Sequence, residues 1–234
     1  MLKTLGVIPA RGGSKRIPRK NILPLNGIPM IGYTIDACRG SKLLTDWIVS
    51  TDDLEIAEVA KRLGADVPFI RPSEISDDST RNIDVLIHAL HSMEEKRRTT
   101  YDLLILLQPT SPIRNPNHID SAIEVLGKSK LDTIASVKGP FFKRDPNLKR
   151  IDTDGHLVDY CKPISSVPSE RAFYVYNASI YGMKREHLLC KKSFISDVQE
   201  VLVMDSLHSI DVDEPLDFVL ASAALKYKTE SESK

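Results

Sequence analysis

Short apolar runs alternate along this chain with longer segments whose apolar positions recur every three or four residues. Residues 5–8, 47–50, 67–70, 103–107 and 133–137 are short and mostly apolar, the pattern of strands covered on both faces. Between them, Ile56, Val59, Ala60 and Leu63 fall on one face of a helix. Ile83, Leu86, Ile87 and Leu90 repeat that spacing, as do Ile119, Ala122, Ile123 and Leu126, and finally Leu216, Val219, Leu220 and Ala223. Buried strands alternating with amphipathic helices predict an α/β fold, a sheet with helices on both faces. Thr51, Asp52 and Asp53 suit the start of the first of these helices, and Asp213 with Pro215 suits the start of the last.

The rhythm stops at residues 139–168, where Pro, Lys, Asp and Ser replace periodic apolar positions. That stretch predicts an arm outside the core, followed by a further β-rich run at 173–181. The polar tail from Lys226 onward is expected to fray. A single domain over residues 1–228 accounts for the pattern, with 139–168 as the arm and 229–234 as the tail.

At 234 residues such a chain buries roughly 70% of its unfolded surface, enough for a core without covalent staples. Lys plus Arg and Asp plus Glu number 32 each. With no net charge, a broad nucleic-acid-binding face is not expected, and a local basic cluster carries more information. Cys38, Cys161 and Cys190 lie far apart with no C-x-x-C spacing, which argues for a reducing compartment and against a disulfide framework or zinc site. No run approaches the ~20 apolar residues of a membrane span, and the first residues are too short an apolar run for a signal peptide. The expectation is a soluble cytoplasmic protein without nucleic-acid or membrane partners.

Four segments carry candidate chemistry. The loop after the first strand, from Ala10 to Asn21, holds Arg11, Lys15, Arg16, Arg19 and Lys20, no acid, and the pair Gly12-Gly13. Ligands of open α/β sheets bind beyond the carboxyl ends of strands, and glycines let backbone N–H groups approach a polyanion. A triphosphate suits this loop, as would a plain solvated turn; it matches neither a Walker A motif nor G-x-G-x-x-G. Asp211 and Asp213 follow the apolar run 201–204, and alternate residues of an extended segment share a face. Together they suit magnesium, although Asp213 suits a helix cap equally. Gln108, Thr110 and Ser111, between Leu107 and Pro112, offer neutral hydrogen bonds at another strand end, and Arg71 stands at a fourth. No side chain stands out as a general base; His88 and His91 fall on or beside a helix and read as structural.

Taken in order, Ile8-Pro9-Ala10-Arg11-Gly12-Gly13-Ser14-Lys15, Lys20-Asn21, Val49-Ser50-Thr51-Asp52, Arg71-Pro72-Ser73-Glu74, Gln108-Pro109-Thr110-Ser111-Pro112 and Ser209-Ile210-Asp211-Val212-Asp213 resemble the acylneuraminate cytidylyltransferases, the CMP-sialic acid synthetases. The resemblance implies a nucleotide-diphospho-sugar transferase fold, a Rossmann-like three-layer α/β/α arrangement, and a homodimer whose arm crosses to the partner. It implies transfer of CMP from CTP to an acidic nine-carbon sugar, with Mg2+ and release of pyrophosphate. By the same resemblance Arg11, Gly12, Gly13, Ser14, Lys20, Asn21, Arg71, Thr80 and Asn82 would hold the nucleotide. Gln108, Arg171, Tyr181 and Phe194 would face the sugar, and Asp211 and Asp213 would hold the metal. Arg11, Lys20 and Arg171 would act in the reaction itself.

The chain departs from that pattern in places. Arg16 and Arg19 replace smaller residues, and Asn177-Ala178 stands where relatives carry Asn-Gly. Arg16 and Arg19 also occur in relatives serving legionaminic and pseudaminic acid, so a legionaminic-type sugar is expected to match or exceed N-acetylneuraminic acid; the 108–112 turn argues against pseudaminic acid. A 3-deoxy-manno-octulosonate cytidylyltransferase is the alternative within this chemistry, although the same turn speaks against it. A glycosyltransferase using the two aspartates would need no triphosphate loop, and a non-catalytic nucleotide-binding module would bind CTP without releasing pyrophosphate.

Overall fold

The computed structural model describes all residues except 1, 15, 77–80, 143–148, 152, 160–171 and 233–234. Its centre is a six-stranded mixed sheet. β1 (Thr4–Pro9) pairs in parallel with β4 (Asp46–Ser50) on one side and with β5 (Leu103–Leu107) on the other. Next come β9 (Ala172–Lys184), β6 (Thr133–Phe142) and the edge strand β10 (Glu200–Met204), giving the order β10-β6-β9-β5-β1-β4. Only β9 runs antiparallel to its neighbours. Two short antiparallel pairs complete the strands: β2 (Pro24–Leu25) with β3 (Ile28–Pro29), and β7 (Lys149–Ile151) with β8 (Leu157–Asp159).

The unbroken apolar runs of the central strands are explained by what covers them. In β5, Leu103, Ile105 and Leu107 point into one core, and Leu104 and Leu106 into the other. The first core is closed by α1 (Met30–Gly40), α2 (Leu54–Arg62) and α4 (Pro116–Lys128). The second is closed by α3 (Asn82–Arg97) and α5 (Arg185–Lys191). A third, smaller cluster joins Ile17 of the first loop to Leu25, Met30, Val212 and Ala221, the last from α6 (Pro215–Glu232). The three-layer expectation holds.

Three details differ from the expectation. Residues 67–70 form no strand; only Asp66 bridges to Ile48. Pro68 has no N–H to give a ladder, and Ile70 is exposed, so β4 remains the sheet edge. Helix α6 forms, but Leu216, Val219 and Leu220 of its apolar stripe face outward. It also continues to Glu232, past the start expected for the polar tail. Of the expected arm, β6 extends to Phe142 and the β7–β8 pair follows; residues 143–148 and 160–168 lie outside the described residues.

Candidate functional site

β1 has β4 on one side and β5 on the other, so the chain leaves it at a switch in strand order, where open α/β sheets form a crevice at the strand ends. A cavity of about 600 Å³ opens there. It is lined by Arg11, Ser14, Lys20 and Asn21 of the first loop, by Arg71 and Asn82, and by Gln108, Thr110 and Asp213. Segments distant in sequence thus converge, as the motif reading required. Arg16, expected only as a departure, also lines the cavity, and so does Ser76.

Lys20 ties two of the motifs together. Its Nζ donates to the Val212 carbonyl at 2.6 Å and to Asp213 Oδ1 at 3.2 Å. The buried Asn21 donates from Nδ2 to the Arg11 carbonyl at 3.1 Å, closing the loop on itself. Asp213 is therefore engaged by Lys20, while the start of α6 is held by Asp217, which accepts from the N–H groups of Asp213 and Glu214. Asp211 is more enclosed. Burial raises its carboxyl above the usual range, with Asp213 adding to the effect and Thr110 and Lys20 opposing it. Its Oδ1 is buried without a hydrogen-bond partner.

The 108–114 turn is anchored by Arg114, a fully enclosed guanidinium whose pKa burial pushes down to about 10. It donates to the Ser179 carbonyl at 2.5 Å, Ser179 Oγ at 3.1 Å, Thr34 Oγ1 at 2.9 Å and the Gln108 carbonyl at 3.1 Å. The turn in turn carries Asp211's segment, because the Val212 N–H donates to the Thr110 carbonyl at 2.8 Å. Sequence reading passed over this arginine, since a cation inside a strand-exit turn looks like a surface charge.

Other expected residues are placed differently. Gly12 and Gly13 do not line the cavity; the Gly12 N–H is turned to Asp52 Oδ1 at 3.1 Å. Arg71 is buried, which lowers its pKa, and it too meets Asp52 Oδ1, at 3.3 Å. Arg19 points to Asp53 and Glu55, so not every loop cation serves the cavity. Tyr181, expected to face the sugar, is buried in the second core and lines neither this cavity nor the one beside Phe194; its ring packs on Phe194 with centroids 5.1 Å apart and lies 6.2 Å from that of Tyr176. Phe194 lines a second cavity of about 460 Å³ that shares Asn82 with the first. His88 packs edge-on against Phe69 at 4.6 Å, in keeping with a structural role. Thr80 and Arg171 lie outside the described residues.

A profile of the family described as cytidylyltransferase matches residues 5–219. The chain belongs to the cytidylyltransferase family. This cytidylyltransferase is 35% identical over 236 residues to a CMP-N,N'-diacetyllegionaminic acid synthase of Legionella pneumophila, covering 98% of this chain and 99% of that one. It is 32% identical to an N-acylneuraminate cytidylyltransferase of Escherichia coli, over 94% of this chain and 51% of the relative. Among solved structures, a CMP:2-keto-3-deoxy-manno-octonic acid synthetase complexed with CTP has the same fold, with a TM-score of 0.71 at 16% identity over 97% of this chain and 99% of that one. No helix among the described residues is long and apolar enough to cross a membrane.

Proposed function

We propose that this cytidylyltransferase activates a nine-carbon acidic sugar: the anomeric hydroxyl attacks the α-phosphorus of CTP, its proton passes to solvent water, and the bond to pyrophosphate breaks. The observation that carries the reading is Lys20, which joins the cationic loop to the Asp211–Asp213 segment across one cavity. Transfer of this kind depends on positioning and on offsetting charge. Arg11 and Lys20 would offset charge on the departing pyrophosphate, and Arg71 and Asn82, which line the same cavity, would hold the nucleotide.

Magnesium fits the donor set. Asp211 offers a buried oxygen with no partner, and Asp213 stands two residues on with a side chain that already meets a cation. Two carboxylates completed by phosphates and waters are ordinary for this ion, and no cluster of three ligating side chains occurs among the described residues. When bound, the metal supplies charge stabilisation at the phosphates.

The sugar of this reading is of the legionaminic type. Phe194, which lines the second cavity and packs on the buried Tyr181, offers an apolar surface that suits methyl and acylamido groups, and the legionaminic synthase resembles this chain over its whole length. A pocket built to bond a hydroxyl rejects analogues lacking it, whereas an apolar wall does not demand one. The enzyme works as a cytoplasmic homodimer in this reading. Support for the dimer comes from the outward stripe of α6 and from Val201 and Val203 on the edge strand, both half exposed.

The test is pyrophosphate release from CTP and magnesium with legionaminic, N-acetylneuraminic, pseudaminic and 3-deoxy-manno-octulosonic acids. The expected kcat/KM for the legionaminic sugar equals or exceeds that for N-acetylneuraminic acid. A preference of about a hundredfold for N-acetylneuraminic acid overturns the sugar assignment alone. No release with any of them overturns the reaction.

A further inference from the structure

We infer that Asp52 and Asp53, adjacent at the exit of β4, are positioning residues that clamp the two ends of the nucleotide loop and so set the affinity for CTP. The inference rests on the reading that this loop receives the triphosphate.

The loop has little structure of its own. After the Ala10 N–H, which donates to the Ser50 carbonyl, its backbone is held by a few bonds such as Ser14 to Gly12 and Lys20 to Ile17. Asn21 closes it on the Arg11 carbonyl, and its two flanks are held from outside. Asp52 holds the beginning: one oxygen, Oδ1, accepts from the Gly12 N–H at 3.1 Å and from Arg71 Nη2 at 3.3 Å. Asp53 holds the end. Its carboxylate takes Arg19 in a two-point contact, Nη1 to Oδ2 at 2.5 Å and Nη2 to Oδ1 at 3.0 Å, while Arg19 adopts a left-handed backbone with φ +58°. Such a φ disfavours a residue with a Cβ and needs support from its surroundings. The loop also presses on this acid pair: a Cβ at Gly12 would lie 2.6 Å from Asp53 Oδ2. This close approach gives Gly12 a reason to be glycine apart from phosphate binding.

The electrostatics sharpen the point. Two carboxylates beside a polyanion site repel the ligand, so their presence calls for a compensating contribution. Asp52 provides one. Arg71 is disfavoured as a cation by burial and by Arg11, and Asp52 opposes both effects. Asp52 thus offsets the cost of burying the Arg71 cation and holds it in place. Asp53 provides another: its pair with Arg19, which holds the Asp53 carboxyl below the usual range, fixes the end of the loop.

Repulsion and clamping predict opposite signs, which makes the test decisive. Calorimetric CTP titration and steady-state kinetics are measured on the wild type, Asp52→Asn, Asp52→Ala, Asp53→Asn, Arg19→Ala and the double variant Asp53→Asn with Arg19→Ala. Asparagine caps a helix as well as aspartate does, so Asp53→Asn keeps the start of α2 and removes only the ionic hold on Arg19. Asp52→Asn keeps an acceptor for Gly12 and removes the charge beside Arg71. Loss of such a charge-assisted contact is expected to raise the Kd for CTP roughly tenfold in Asp52→Ala. Asp52→Asn is expected to fall between that and the wild type. Asp53→Asn and Arg19→Ala should weaken CTP binding by equal amounts, with no further loss in the double variant and an unchanged KM for the sugar. Unchanged or tighter CTP binding in Asp52→Ala and Asp53→Asn overturns the inference, and so does a parallel rise in the sugar KM. A wild type that binds no CTP instead overturns the assignment of the loop.

Discussion

Burial holds the Asp211 carboxyl above its usual range and leaves Oδ1 without a partner, a costly arrangement unless a ligand completes it. Asp211→Asn keeps the size of the side chain and removes the charge. Turnover is expected to fall by about a hundredfold or more with little change in stability, because several kcal/mol of charge stabilisation at the phosphates is lost. Full turnover in this variant, or in the wild type without divalent cations, counts against the metal site. Lys20 makes a different kind of contribution. It reaches the cavity from the first loop, so Lys20→Ala should raise the KM for CTP well beyond that for the sugar; equal rises would indicate a disturbed fold. Ala178 gives a stability prediction. Its φ is +56°, in a region that costs an L-residue roughly 1–2 kcal/mol, whereas glycine adopts it freely at a smaller entropic cost. Ala178→Gly is expected to stabilise the protein by about 0.5–1 kcal/mol in urea unfolding; a loss of stability would mean that the Ala methyl contributes packing.

The elements around the site are joined by buried polar contacts. Between β6 and β9 the register shifts at Ala135 and Val137, and Asn177 fills the irregularity. Its Oδ1 accepts from Ser136 Oγ at 2.6 Å and its Nδ2 donates to Ser209 Oγ at 3.0 Å, linking the sheet to the segment that carries Asp211. Helix α4 supplies a pH response. His118, the third residue of α4, accepts at Nδ1 from the Asn115 N–H while Asn115 accepts from the His118 N–H, a capping box. Its ring lies 4.8 Å from His208, which Asp205 holds at 2.8 Å. Burial first, then the neighbouring His208, Arg114 and Lys228, push the His118 pKa down to about 4, against an opposing effect of Asp205. The unfolded chain binds this proton near pH 6.5, about the ordinary histidine value. The contribution to stability is therefore complete above that pH and declines as the pH falls, with the loss finished once the pH passes below the folded value. His118→Gln retains a capping-box side chain and removes the titration. Urea midpoints measured from pH 7 down to pH 4 should drop less steeply in His118→Gln than in the wild type; parallel curves would assign the acid sensitivity elsewhere.

For the whole molecule, the notable surface is apolar. Leu216 is 67% exposed, Val219 63% and Leu220 52% on α6, and Val201 and Val203 are 50% and 49% exposed on β10, the open edge of the sheet. An edge strand with apolar side chains invites pairing unless something covers it. Light scattering is expected to give twice the chain mass, and replacing Val219 and Leu220 by Gln should shift it toward the monomer. A monomer with full activity at dilute concentration would remove the homodimer.

The period of apolar positions determined which segments become strands and helices, because burial on one face or two leaves a local record in the sequence. It also determined that the basic loop, the 108–114 turn and the paired aspartates leave strand or helix ends, hence that they gather at one rim of the sheet. What the local pattern does not record is which neighbour covers a face or meets a charge. The apolar stripe of α6 therefore looked core-facing and faces outward, and residues 67–70 looked like a strand but found no ladder beyond Asp66. The same limit applied to the cations. Arg19 and Lys20 are adjacent in the chain, yet Arg19 is taken by Asp53 and Lys20 by Val212 and Asp213, partners 34 and 192 or more residues away. Tertiary structure alone decided those pairings, because charge acts through space and the chain's spacing says nothing of what lies across the cavity.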